Sequence, residues 1–221
     1  MFGFPMRTIT DKGAHIVMRP YRPDEMEQVA KLISSYRIAR TLSLTGSQTV
    51  QQEQGWFEHI STSQDSVHWA ICWATDERDT TGIPIGTSVL ENVRGLRATS
   101  GVVIYDPTAW SQGIATAAHK ARCYYADHVM GLNAIDSDAL RSNRGSINAL
   151  CRVGYQIVGT RYGMHHLDGH TEHLELLLWV NPNERNWNYF WGDSDVPQKF
   201  IGSRKLARKA LDWAAENVTL L

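Results

Sequence analysis

The sequence predicts an α/β fold with a mixed, mostly antiparallel central sheet flanked by helices and a helical appendage at the C-terminal end. Three observations predict it. Strand-like runs such as His68–Ala74 (HWAICWA) and Thr99–Tyr105 (TSGVVIY) alternate with helical patterns. One long helical pattern, Gly113–Met130, stands between two strand candidates, as a crossover between parallel strands requires. Two later strand runs are joined at Asp168-Gly169, a strong hairpin signal that brings antiparallel pairing into the same sheet.

Taken in order, Ala14–Tyr21 (AHIVMRPY) reads as a first strand. Pro23-Asp24 opens a helix, Asp24 to about Arg37, with apolar Met26, Val29 and Ile33 and an acidic first turn. Thr49–Ile60 reads as a second helix carrying Trp56, Phe57 and Ile60. His68–Ala74 is a strand by its aromatic and β-branched content, and Asp76–Ile83 is a turn. Ile85–Val93 and Thr99–Tyr105 are strands separated at Arg94-Gly95, and Asp106-Pro107 stops the second. Leu132–Ser137 is a strand candidate after the long helix. Ser146–Val153 is a short helix with Gly154 in C-cap position. Tyr155–His165 and Thr171–Val180 form the closing hairpin. After Asn181-Pro182-Asn183 the texture changes, which divides the chain into a domain at 1–181 and an extension at 182–221. The extension holds an aromatic, polar run (NWNYFW) and a helix at Ser203–Asn217, with Ser203 as N-cap and Leu206, Ala210, Leu211 and Ala214 on one face. It is expected to support stability or dimerisation.

Composition narrows the function. The chain has 221 residues, enough to bury about 70% of its unfolded surface without a disulfide or metal staple. Lys and Arg number 22 against 23 Asp and Glu, so no bulk positive field invites nucleic acid or an acidic membrane. No run of about 18 apolar residues reads as a membrane span, and MFGFPMRTIT has no signal-peptide pattern. Cys72, Cys123 and Cys151 are odd in number and unclustered, and read as reduced thiols of a cytoplasmic protein. Cys72 and Cys151 lie in apolar patterns with no His at useful spacing, which argues against a cysteine nucleophile. His165, His166, His170 and His173 straddle the hairpin turn without a carboxylate or cysteine to complete a ligand set, so no metal is expected.

The chemistry concentrates in Gly101–Ala118 (GVVIYDPTAWSQGIATAA). A strand ends at Asp106-Pro107, and Gly113-Ile114-Ala115-Thr116 opens a helix. Small residues at Ser111, Gly113 and Ala115 leave backbone N–H groups unobstructed, and a helix N-terminus favours an anion. This is a candidate phosphate or pyrophosphate site, with an ordinary helix start as the alternative. It is neither a P-loop nor a dinucleotide fingerprint, since Gly-Lys-Ser/Thr is absent and the glycine spacing differs.

Trp110-Ser111-Gln112-Gly113-Ile114-Ala115 resembles the Q/R-x-x-G-x-G/A pyrophosphate loop of the GNAT superfamily of acetyl-CoA-dependent N-acetyltransferases. Trp at the first position resembles the RimJ/RimL-like branch. Asn143-Arg144-Gly145-Ser146 is similar to that branch's N-x-x-S, and Val153-Gly154-Tyr155 to its Gly-aromatic turn, with the resemblance running from about His15 to Val180. It implies acetyl-CoA as cosubstrate and a primary amine as acceptor, joined in a ternary complex. It implies a splayed strand pair forming the CoA cleft, with the pantetheine arm against Val103, Ile104 and Tyr105 and the pyrophosphate on Trp110, Ser111, Gln112, Gly113, Ile114, Ala115 and Thr116. Asn143 and Ser146 would lie near the arm, with Ser146 close to the sulfur and catalytic; as a helix N-cap and first-turn residue they can hold both roles. Glu91 is the tentative base, with an exposed strand-end carboxylate as its alternative. Asp106 is expected to cap the turn before Pro107, Tyr105 to line the acyl pocket or pack, and His119 to pack within the domain. The acceptor is a small amine or a protein N-terminus, bound by Ile38–Trp56 and the final hairpin; in Ile38–Trp56 the charged residues are Arg40 and Glu53. The family's habits also allow a homodimer. A CoA-binding module without turnover is the alternative from another class.

Overall fold

A computed structural model describes residues 1–42, 44 and 46–221 of the chain. Its strands are β1 (Met6–Ile9), β2 (His15–Arg19), β3 (Val67–Trp73), β4 (Ile83–Arg94), β5 (Arg97–Ile104), β6 (Ala134–Leu140), β7 (Gln156–Leu167), β8 (His170–Val180) and β9 (Thr219–Leu220). The helices are α1 (Met26–Ile33), α2 (Tyr36–Ala39), α3 (Val50–Thr62), α4 (Ile114–His128), α5 (Arg144–Arg152), α6 (Glu184–Trp191) and α7 (Gln198–Asn217). The strands make one sheet in the order β7-β8-β6-β5-β4-β3-β2-β1-β9. Every neighbouring pair is antiparallel except β5 and β6, the pair that α4 connects. This is the mixed, mostly antiparallel architecture the sequence implied.

Alternation along β3 builds the two faces. Trp69 and Ile71 join the larger core with α4, α5 and α7, whereas Ala70 and Cys72 turn to the α1–α3 side with Met26, Val29 and Ile60. The parallel pairing of β5 and β6 runs from Arg97 and Ala134 to Ser100 and Ser137 and stops there. Beyond it β5 continues to Ile104 beside β4, and β6 continues to Leu140 beside β8. The two strands therefore part in a V whose point is Ser100 and Ser137, where the Ser137 hydroxyl donates to the Ser100 carbonyl at 3.0 Å.

Several expectations need correcting. A short strand, β1, precedes the first one read from sequence; four residues beside Pro5 carry too little pattern, and pairing with β2 creates the strand. The expected first helix breaks at Ser34-Ser35 into α1 and α2. The NWNYFW run is helical, because Trp187 finds a buried place against Ala134, Leu178, Val180 and Phe200. Ser203 is not an N-cap: α7 begins at Gln198, and the Ser203 hydroxyl donates to the Phe200 carbonyl inside the helix. Leu206 faces solvent, and Phe200 and Ala207 take the buried side.

The segment after Pro182 is part of the same core. Ala207, Ala210, Leu211, Ala214 and Val218 lie in one cluster with Ala117, Ala118 and Ala121 of α4, and β9 pairs with β1 at the sheet edge. Gly154, at φ +96°, sits so close to Ala207 that a Cβ there would meet its backbone at 2.5 Å. Burying Trp187, Phe200, Leu211 and Val218 contributes about 1.5–3 kcal/mol each, a sum comparable to a whole domain's stability of about 5–15 kcal/mol. A chain ending at Asn181 is therefore expected to be insoluble or to lack a cooperative thermal transition by circular dichroism. A melting temperature equal to that of the full chain would refute this role for the extension.

Candidate active site

The V opens onto the N-terminus of α4. Asp106 caps the turn after β5, its carboxylate accepting from the Thr108 backbone N–H at 2.8 Å and from its hydroxyl at 2.7 Å. The loop then needs two left-handed residues, Ser111 (φ +62°) and Gly113 (φ +82°), to turn the chain into the helix. Gly113 is the N-cap and has no side chain to offer, so the N–H groups of Ile114, Ala115 and Thr116 keep no capping partner. The side chains of Ile114 and Thr116 point inward and are buried, so it is backbone that faces the cleft. Bare N–H groups at a helix start are the kind of donor set that suits an anion.

One edge of β5 is open beside this cradle. The Tyr105 N–H donates to the Ile85 carbonyl at 2.7 Å, which fixes the phase of β5 against β4. Alternation then points the main-chain groups of Val103 and Tyr105 at β4 and those of Val102 and Ile104 into the V. On this phase Val102 and Ile104 turn their main-chain groups into the V, the Ile104 carbonyl being taken by Trp110, and Val103 and Tyr105 supply side chains to the opposite, α3 face. Trp110 explains its departure from the loop pattern. Its indole N–H donates to the Ile104 carbonyl at 3.0 Å, and the Arg37 guanidinium stacks 4.5 Å over its ring. Trp110 thus ties the loop to the splayed strand and to α2, whose Tyr36 hydroxyl and Arg40 hold Asp168 at the hairpin tip.

Across the V, Asn143 caps α5, its Oδ1 accepting from the Ser146 backbone N–H at 3.1 Å. Ser146 is half-buried in the first turn, and its hydroxyl has no protein partner among the described residues. Asn143 therefore acts as the N-cap that was one of its two expected roles.

On the α3 side of β4 and β5 lies a cavity of about 340 Å³ lined by Ile33, Trp56, Val103 and Tyr105 among others, with Glu53, Glu91 and His68 as its ionisable residues besides tyrosine. The Thr49 capping box starts α3 and places Glu53, Trp56 and Ile60 on its inner face. Glu53 is 6% exposed, and its carboxylate forms no hydrogen bond or ion pair among the described residues. Burial raises its carboxyl above the ordinary glutamate range. Glu25, also buried, differs: it is held by Arg19 and by the Arg22 N–H and is structural. The charge of Glu53 is felt at Tyr105, which places it near the splayed end of β5. Tyr105 itself is buried, with its hydroxyl 3.1 Å from that of Tyr21.

Glu91 lines the same cavity but lies on exposed strand. It is four residues from Thr87, the partner of Val103, so about 13 Å separates it from the splayed segment at ~3.3 Å per residue. Burial and Asp65 raise its carboxyl, yet its position suits the cavity's outer end. Glu53 was visible in the sequence as a carboxylate in register with Trp56 and Ile60; the composition of that segment alone did not give it a role.

His68 is also in the wall, 3% exposed. Its Nε2 lies 3.0 Å from the Ser66 hydroxyl, which donates to Ser63 at 2.7 Å, and Ser63 donates to Asp65 at 3.0 Å. Because a carboxylate only accepts, this chain makes Nε2 the protonated nitrogen. Nδ1 carries the lone pair and has no partner among the described residues. Burial, with smaller contributions from the chain's N-terminal ammonium and His59, pushes the imidazole down to about 4, so it is neutral near pH 7.

The remaining candidates are structural. His119 is buried and packs within the domain. The described residues contain no group of three or more His, Cys, Asp or Glu that could hold a metal ion. Burial pushes the Cys72 thiol up to about 12 and that of Cys123 to about 11, the reverse of nucleophile activation. No described helix is long and apolar enough to cross a membrane.

A splayed parallel pair, a bare helix N-terminus at its mouth and a cavity on the far face of the same strands are the features of the site. The family of the acetyltransferase (GNAT) domain matches residues 15–156, and the chain belongs to it and is an acyltransferase. No curated protein sequence matches the chain. Among solved structures, Mycobacterium smegmatis RimJ in complex with CoA-disulfide superposes with a TM-score of 0.67 at 16% identity, covering 98% of this chain and 97% of that one. Spermidine N-acetyltransferase from Vibrio cholerae, in complex with CoA and spermine, gives 0.66 at 11%, covering 75% and 95%. A GNAT-family acetyltransferase from Bacillus anthracis gives 0.64 at 14%, covering 79% and 98%.

Proposed function

We propose that this enzyme transfers an acetyl group from acetyl-CoA directly to the primary amine of a small molecule bound beside Glu53. The observation that carries the reading is the cavity: among the described residues its lining has two carboxylates and no Lys or Arg, and it shares β5 with the open edge. Such a wall favours a cation, and its apolar remainder favours a compact apolar body. The pyrophosphate would rest on the N–H groups of Ile114–Thr116 and the arm against Val102 and Ile104. The bound ammonium gives one proton to solvent and reacts as the neutral amine, and Glu53 takes the second proton, the one the nitrogen sheds on bonding to carbon. The amine nitrogen bonds to the thioester carbon, and the carbon–sulfur bond breaks. Ser146 donates its hydroxyl proton as a hydrogen bond to the departing sulfur.

A panel of small primary amines and N-terminal peptides with acetyl-CoA, read as CoA release, tests this. Transfer to a compact amine with peptides inert supports the reading. Transfer to peptides alone would move the acceptor to a protein N-terminus, and CoA binding without any transfer would favour a non-catalytic module. Within the same assay, Ser146→Ala is expected to lower kcat about tenfold while CoA affinity changes less than twofold, the size of one hydrogen bond to a charged atom. Unchanged kcat would remove Ser146 from the chemistry.

A further inference from the structure

Arg122 of α4 is fully buried behind the point of the V. Nη1 donates to the Gly101 carbonyl at 2.9 Å and lies 3.4 Å from the Ser88 hydroxyl. Nη2 donates to the Ser100 hydroxyl at 3.0 Å, to Nδ1 of His119 at 2.8 Å and to the Tyr155 hydroxyl at 3.2 Å. Ser100 is the last residue of β5 paired with β6, and Gly101 the first beyond it.

Every one of these partners is uncharged. Burial, then the guanidinium itself, holds His119 far below its ordinary range, so it is neutral and its Nδ1 is a lone pair. Burial raises the Tyr155 phenol and the neighbouring Cys123 thiol, so neither supplies an anion near neutral pH. Among the described residues no carboxylate pairs with Arg122. Its Nε–H is buried and has no acceptor. An arginine carries a permanent charge, and a buried charge without a counter-ion is costly. A core residue needed only for packing would avoid that penalty with an aliphatic side chain. The uncancelled positive field instead sits where the strands begin to part.

We propose that Arg122 is a positioning residue whose buried charge stabilises the thiolate released during acetyl transfer. The proposal rests on the reading of the V as the cleft for acetyl-CoA. With the pyrophosphate at the α4 N-terminus, the arm passes Ile104 and then Val102, and its sulfur end comes deepest, toward Gly101. When the amine nitrogen bonds to the carbonyl carbon, the carbon–sulfur bond breaks and its electron pair stays on sulfur. The amine reacts neutral, having left one proton to solvent on binding, and the proton its nitrogen sheds on bonding to carbon goes to Glu53. Arg122 gives up no proton; it acts through the Ser100 and Gly101 groups it holds and through a field that the surrounding apolar core screens little.

The test is the titration of CoA bound to the full-length protein, followed by thiolate ultraviolet absorbance. The bound thiol is expected to titrate about one pH unit or more below free CoA. Arg122→Gln and Arg122→Met should abolish that displacement, whereas their affinity for desulfo-CoA should stay within about threefold of wild type; a merely structural role would not separate the two readouts. If both variants fail to fold, wild type alone decides: its affinity for CoA relative to desulfo-CoA should rise with pH as the thiol ionises. A bound thiol that titrates like free CoA, a displacement kept by the neutral variants, or a flat affinity ratio overturns the proposal. Absence of CoA binding to wild type overturns the cleft reading as well.

Discussion

Gly113→Asp is expected to reduce CoA affinity at least 100-fold while the protein stays folded. Gly113 has φ +82°, a conformation that Asp tolerates better than most side chains. The nearest atom to a new Cβ is Thr10 Cβ at 3.4 Å, so the residue fits with slight adjustment. Asp is also among the preferred N-caps, and its charge complements the helix dipole. The variant side chain would therefore occupy the N–H groups of Ile114–Thr116 that now have no capping partner, and would repel a pyrophosphate at the same place. Gly113→Asn, with the same shape and no charge, should lose about tenfold from competition alone. Calorimetry with CoA, beside a thermal melt, separates these outcomes. An Asp variant with wild-type affinity would sink the loop assignment.

Glu53→Gln is expected to lower kcat by about 10²–10³ near neutral pH, the usual range for removing a general base, with CoA affinity unchanged. The pH dependence follows from the raised carboxyl. A base works when deprotonated, so wild-type kcat should fall as pH drops through a value above the ordinary ~4.3 of glutamate, and the variant should lack that limb. Stability should move the opposite way. Folding favours the neutral form of Glu53, so wild type loses stability as pH rises from the unfolded-state value through the folded-state one. The variant escapes this loss and should melt higher than wild type at pH 7, with the gap closing in acid. Equal kcat with the same acid limb would return the role of base to Glu91 or to solvent. Glu25→Gln, which breaks the pair with Arg19, makes the contrasting case: it should destabilise, because a buried guanidinium loses its anion.

Much of the fold was legible in the chain. Thr49–Ile60 reads as a helix, and the structure has one at Val50–Thr62. Asp168-Gly169 announces the closing hairpin, whose turn takes φ +51° and +78° at those residues. The Trp-Ser-Gln-Gly-Ile-Ala loop is legible because its job is done by backbone: only small residues permit the required dihedrals and leave N–H groups bare. Weak local signals failed. Met6–Ile9 and Thr219–Leu220 are strands only because each finds the other beside β2, and Glu184–Trp191 is a helix whose aromatic content hid its period.

Sites built from distant segments were the least legible. Glu53, His68 and Val103 are far apart in sequence, and their meeting in one wall depends on α3 lying across β3–β5. The main-chain phase of β5 is invisible to composition, since one residue's shift exchanges which N–H groups face β4 and which face the V. Arg122 reads in the sequence as one more charge on a helix; only packing reveals that it is buried among neutral partners at Ser100 and Gly101. By itself, the sequence determined what local sterics and local hydrogen bonding control: the order of most elements, the turns, the uncapped helix start, and the family. Tertiary structure alone decided which carboxylate is desolvated, which strand edge is open and which charge is left uncancelled, because these depend on distance and dielectric between segments that the chain order does not fix.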